Sequence, residues 1–88
     1  MKSVFLQKLA QMLSVHFRLS KKREFGELIG WNPEQTAFEI KKLPDFEKEL
    51  LPHFFRHSRM ISFIRQLNLY GFRKVRGAQL ETYTHSVF

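Results

Sequence analysis

Cysteine is absent from the 88 residues. That excludes a disulfide framework and any cysteine-based zinc site, so apolar burial has to hold the fold together. Long apolar runs are also missing. The longest are short and broken by charge, and none could span a bilayer. The opening stretch MKSVFLQKLAQMLS carries Lys2 and Lys8 and alternates polar with apolar residues. It lacks the unbroken apolar segment of a signal peptide, and a cytosolic or nuclear protein is expected. There is no internal repeat, low-complexity tract or linker, so residues 1–88 should form a single domain, the size one small core supports. No Gly-rich phosphate loop is present, and no paired carboxylates flank a polar nucleophile. Neither an enzyme nor a cofactor is expected. Most telling, Asp and Glu are missing from residues 50–80, which hold Arg56, Arg59, Arg65, Arg73, Lys74 and Arg76.

What is present fits a packed, basic domain. The chain is 43% hydrophobic and 15% aromatic, with ten Phe, more apolar mass than a disordered chain carries. Of the net charge of +7, residues 1–49 contribute little, with nine Lys/Arg against seven Asp/Glu. The unopposed charge of residues 50–80 is interleaved with Phe63, Leu67, Tyr70 and Phe72. That stretch should fold and present its charge from a fixed surface, the footprint of a polyanion binder.

Phe5, Leu9, Met12, Leu13 and His16 recur at helical spacing and predict an amphipathic helix over 3–15. LSKKREFGE reads as a charged loop. Its Lys21-Lys22-Arg23 run is a solvated face or a phosphate or targeting patch. Leu28–Trp31 and Thr36–Ile40 suggest a β-hairpin across Asn32–Gln35, with Trp31 in the core. Leu43-Pro44-Asp45 opens a second helix in which Phe46, Leu50 and Phe54 share a face and Pro52 should kink or end the rod. Asp45, Glu47 and Glu49 form a helix-start cluster that suits the helix dipole. Ser58 is a good N-cap for a third helix to about Tyr70, and Gly71 a good residue to stop it. Phe72–Val75 reads as a strand, Gly77 as a turn, and Tyr83–Phe88 as a closing strand. Two adjacent helices followed by a hairpin is the order of a winged helix-turn-helix. The fold class is therefore α+β, three helices with a small antiparallel sheet.

On a wheel of about 100° per residue, Met60, Phe63, Ile64, Leu67 and Tyr70 fall within one arc of about 120°. Ser58, Ser62, Arg65 and Leu69 lie opposite, flanked by Gln66 and Asn68. An ordinary surface helix also has a polar face, but usually one with Glu and Lys. This face holds Arg, Gln, Asn and Ser and no carboxylate, the side chains that pair with base edges. Arg65 is the candidate for a bidentate contact with guanine. Ser62, Gln66 and Asn68 would support it through base, water or phosphate contacts. Arg56, Arg59, Tyr70, Arg73 and Lys74 are the candidates for phosphate contacts that fix register. His53 and His57 stand four apart, a metal-ligand spacing. With no Cys, no Glu after His53 and Pro52 in the helix, no metal site is expected.

Residues Ser62 to Val75, SFIRQLNLYGFRKV, resemble the signature of the heat-shock transcription factor DNA-binding domain, with Ile64 for Val as the single conservative change. Phe5-Leu6-x-Lys8-Leu9 is similar to that family's opening helix, and Ile29-x-Trp31 with Phe38-x-Ile40 to its first hairpin. Leu50-Leu51-Pro52-x-Phe54-Phe55-x-His57 resembles its kinked second helix, and Tyr83-x-His85-x-x-Phe88 the close of its wing. In the wing, Arg76 to Thr82 is much shorter than usual. The loop Leu19–Glu27 is longer and more basic, Ser86 stands where Pro is common, and Ile61 stands where a small residue is common. The resemblance implies a nuclear transcription factor domain that reads GAA-type repeats in double-stranded DNA. It also implies homotrimers formed through a coiled coil outside these residues, with the domain alone monomeric. The rival readings are another winged helix with a different DNA target, a winged-helix protein-interaction module without sequence-specific binding, and a basic surface docked on anionic membrane. The carboxylate-free face argues against the last two.

Overall fold

The computed structural model describes residues 3–13, 18–20, 23–56 and 59–86. His16, Lys21, Lys22, His57, Ser58 and Phe88 lie outside them. No helix among the described residues is long and apolar enough to cross a membrane.

Helix α1 (Val4–Met12) starts where the Ser3 hydroxyl accepts from the Leu6 N–H at 3.3 Å, a side-chain cap for one of the helix's unpaired amides. It buries Phe5, Leu9 and Met12. The segment expected as a charged loop holds a short antiparallel pair, β1 (Arg18–Ser20) with β2 (Arg23–Glu24), followed by a 3-10 turn at Phe25–Glu27. Burial of Phe25 pins that turn to the core. Charge composition carried no sign of this.

Strands β3 (Ile29–Trp31) and β4 (Ala37–Ile40) form the expected hairpin. Asn32 shapes its turn, with Oδ1 accepting from the amides of Thr36 at 2.8 Å and Ala37 at 3.1 Å. Trp31 corrects the core assignment, being 39% exposed. It ends the outermost strand of a sheet ordered β3-β4-β6-β5, where the core no longer covers it.

Helix α2 (Leu43–Asp45) continues through a π-helical stretch, Phe46–Leu50, into α3 (Leu51–Phe54). The three make one irregular helix, so with α1 and the helix that follows the described residues hold three. The Leu51 amide bonds to the Phe46 carbonyl five residues back, and Pro52 then falls in the first turn of α3, where no amide is required. Pro52 thus distorts the rod rather than ending it.

Helix α4 (Met60–Leu69) is slightly shorter than predicted. Its stop is a Schellman motif: the Phe72 amide bonds to the Leu67 carbonyl at 3.0 Å and the Gly71 amide to that of Asn68 at 3.1 Å. Gly71 has φ +88, and a Cβ there would lie 3.1 Å from His85 Nε2. The chain then turns into β5 (Arg73–Lys74), which pairs with β6 (Glu81–Thr84). The closing strand is therefore earlier and shorter than Tyr83–Phe88. Its length is set by its partner β4, in the register Ala37 to Thr84 and Ile40 to Glu81.

The helices and sheet enclose one core of Phe5, Leu9, Phe25, Phe38, Phe46, Phe63, Leu67, Phe72, Tyr83 and their neighbours. The architecture is a winged helix with a four-stranded antiparallel sheet.

Candidate nucleic-acid interface

Helix α4 presents two unlike faces because its apolar residues follow the helical period. Met60, Phe63 and Leu67 are buried, Ile64 is half-buried, and Arg65, Gln66, Asn68 and Leu69 are exposed. Phe63 anchors the inner face, with its ring centroid 5.4 Å from Phe46, 5.8 Å from Phe5 and 6.2 Å from Phe55. Tyr70, expected on the core face, is 37% exposed. It caps the helix, and its ring stacks on Phe5 at 5.3 Å and 8°.

The start of α4 is held from another helix. Arg59 occupies the cap position without a side-chain hydrogen bond, while the Met60 amide donates to Glu47 Oε2 at 2.6 Å. A carboxylate at a helix N-terminus satisfies an otherwise unpaired amide and opposes the helix dipole. Glu47 therefore fixes where α4 begins relative to the second helix.

Arg56, Ser62, Arg65 and Gln66 line one groove of about 460 Å³ between α1 and α4, together with Val4, Phe5 and Lys8. Four of the nine candidate residues thus converge. Lys8 was not anticipated. Its ammonium sits over the Phe55 ring, 5.1 Å from the centroid, a cation–π contact that leaves a positive charge on the groove rim. Its sequence signal is weak: a lysine three positions after Phe5 on the first helix. Asn68 lies on the far flank of Arg65, and Arg59 and Tyr70 sit at the two ends of α4.

Arg73 and Lys74 are exposed neighbours on β5, and strand alternation turns them to opposite faces of the sheet. Lys74 lies beside a second groove, of about 580 Å³, with Lys41, Leu43 and the wing residues Arg76 to Glu81. Its ammonium pairs with Glu81 Oε1 at 2.9 Å. That hydrogen bond, helped by the Tyr83 hydroxyl donating to Glu81 Oε2 at 2.9 Å, holds the Glu81 carboxyl below the usual carboxylate range. Burial pushes the Tyr83 hydroxyl well above its usual value, and its bond to Glu81 pushes it further. A surface pair of this kind contributes at most about 1 kcal/mol, so Lys74 can exchange Glu81 for a phosphate at low cost. His53 packs its ring edge-on against Phe54 at 5.1 Å and Phe25 at 6.0 Å.

Arginine, glutamine and asparagine on an exposed helix face, flanked by cations and free of carboxylates, can hydrogen-bond base edges and phosphates together. The family model described as HSF-type DNA-binding matches residues 5–88. The chain is 46% identical over 65 residues to heat stress transcription factor B-1 of Arabidopsis thaliana, covering 74% of this chain and 23% of that protein. It is 56% identical over 48 residues to human heat shock factor protein 4, covering 54% of this chain and 10% of that protein. The chain therefore spans a quarter or less of these relatives' length. Among solved structures, it is similar to a heat shock transcription factor DNA-binding domain crystallised with cognate DNA, at TM-score 0.80 and 28% identity, covering 97% of this chain and 100% of that one. It is also similar to Chaetomium thermophilum Skn7 with HSE DNA, at TM-score 0.76 and 33% identity, covering 94% of this chain and 83% of that one.

Proposed function

The chain belongs to the HSF-type DNA-binding family, and from that premise we propose that residues 1–88 are one domain that binds double-stranded DNA sequence-specifically by laying α4 in the major groove. The observation that carries this is the exposed, carboxylate-free face of α4 above a buried Phe63. Arg65 forks onto the O6 and N7 of a guanine, a contact worth roughly 1–3 kcal/mol of discrimination. Ser62, Gln66 and Asn68 hold neighbouring bases, waters or phosphates. Arg56, Arg59, Tyr70, Arg73 and Lys74 grip the backbone and set register. The target is DNA with GAA-type repeats, and the protein acts in the nucleus as a transcription factor rather than an enzyme. The test is a titration against a GAA-containing duplex and a scrambled one. Equal affinity for both would overturn the reading, and absence of binding to either would leave a protein-interaction module in its place.

Backbone contacts and base contacts separate experimentally. Arg73→Ala should weaken binding to both duplexes alike and change the slope of log affinity against log salt by about 0.9, the loss of one phosphate contact. An unchanged slope removes Arg73 from the backbone contacts.

The domain alone is monomeric, and homotrimers form through a coiled coil outside these residues. The wing turn from β5 to β6 is short and offers little surface for a neighbouring domain. Light scattering of the free chain checks this, and a stable dimer or trimer would contradict it.

A further inference from the structure

Exposed apolar side chains on α4 are the one feature of its outer face that hydrogen-bonding readout does not use. Ile61 is 66% exposed and Leu69 73%, while Arg65 lies between them at four-residue spacing. We propose, resting on the major-groove reading above, that Ile61 is a specificity residue whose side chain contacts the 5-methyl group of a pyrimidine beside the guanine held by Arg65.

The geometry selects Ile61 over Leu69. A recognition helix meets base edges with its N-terminal residues, and Ile61 is the second residue of α4 whereas Leu69 is the last. On the wheel Ile61 falls about 40° from Arg65, on the flank away from Ser62 and Gln66. One helical turn separates Ile61 from Arg65, about 6 Å along the axis, against about 3.4 Å per base step. Ile61 therefore reaches an edge one or two steps from the guanine. The chemistry selects the occupant. Thymine is the one ordinary base that carries a methyl group in the major groove, where it projects from the edge beyond the C–H of cytosine. A branched isoleucine has a stiff χ1, so little rotamer freedom is lost on contact. The cations of the surrounding face suit a polyanion. 5-Methylcytosine carries the same methyl at the same place, so Ile61 would sense methylation of a cytosine at that step.

The test uses the whole chain and duplexes carrying the GAA unit. Each thymine of the unit and its flanks is replaced in turn by uracil, which removes only the methyl. One position within two steps of the guanine should lose roughly three- to five-fold in affinity, the value of one buried methyl. Cytosine at that position, with and without its 5-methyl, should show the same ratio. Ile61→Ala should bind the methylated and unmethylated duplexes alike. That variant should fold, because the site is exposed and Ala is the better helix former, and circular dichroism checks it. A flat uracil scan overturns the proposal, as does a methyl effect that survives Ile61→Ala. A wild-type chain that fails to prefer the GAA duplex over the scrambled one overturns the DNA reading itself, and this inference with it.

Discussion

Phe63→Ala is expected to lower stability by roughly 3–5 kcal/mol, the usual result of deleting a buried aromatic. Its ring meets three others within 6.2 Å, from α1, from the π-helical stretch and from the residue after α3. Removing it opens a void where the three helices meet, which the surroundings refill only in part. Domains of this size have a total stability of only about 5–15 kcal/mol, so the loss is a large share. Each kcal/mol should lower Tm by roughly 4–8 °C. DNA binding should fall in proportion to the unfolded fraction, because Phe63 does not face the outer surface of α4. Thermal melts with and without duplex check this, since ligand binding to the native state should recover part of the loss. A variant that melts with wild type would mean that α4 packs with a different face inward, and the reading face would go with it.

The parts legible in the sequence are those fixed by local rules. The outer and inner faces of α4 follow from the period of Met60, Phe63 and Leu67 alone. Its end follows from Gly71, because a left-handed residue there suits glycine. The hairpin follows from Asn32, whose side chain closes its own turn. The parts that were not legible depend on partners far along the chain. Glu47 reads as a dipole-favouring acid on its own helix, yet its carboxylate holds the Met60 amide thirteen residues on. Trp31 has the size and hydrophobicity of a core residue, and only its place at the end of an outer strand exposes it. Tyr83 to Phe88 has strand composition throughout, but β4 supplies partners only as far as Thr84. The pairing of Lys74 with Glu81 was likewise not legible, because it depends on the register of β5 with β6. Ser62, Arg65, Gln66 and Asn68 could be grouped from the sequence because they share one helix. The relative positions of Arg56, Arg59, Tyr70, Arg73 and Lys74 were not legible, because they depend on how strands and helix ends meet.

Arg65→Ala should abolish the preference for the GAA duplex while leaving the melting temperature near that of wild type. Arg65 is exposed, so the fold loses little when it is shortened, and Ala suits a helix interior at least as well. Binding should change in two separable ways. Loss of a bidentate guanine contact removes roughly 1–3 kcal/mol of discrimination, about 5- to 150-fold in the ratio of affinities. Loss of one positive charge also weakens both duplexes through the groove's field, and added salt should shrink that second effect. Arg65→Lys sharpens the test. Lysine restores the charge and can still donate to guanine, but it lacks the planar fork that meets O6 and N7 together. It should recover much of the affinity for the scrambled duplex and little of the discrimination. A full return of the wild-type ratio with lysine would mean that Arg65 acts as a point charge on phosphate. If instead Arg65→Ala keeps the wild-type ratio, the discrimination comes from another base contact, and Gln66, beside it on the same groove and suited to the N6 and N7 of an adenine, is the next to test.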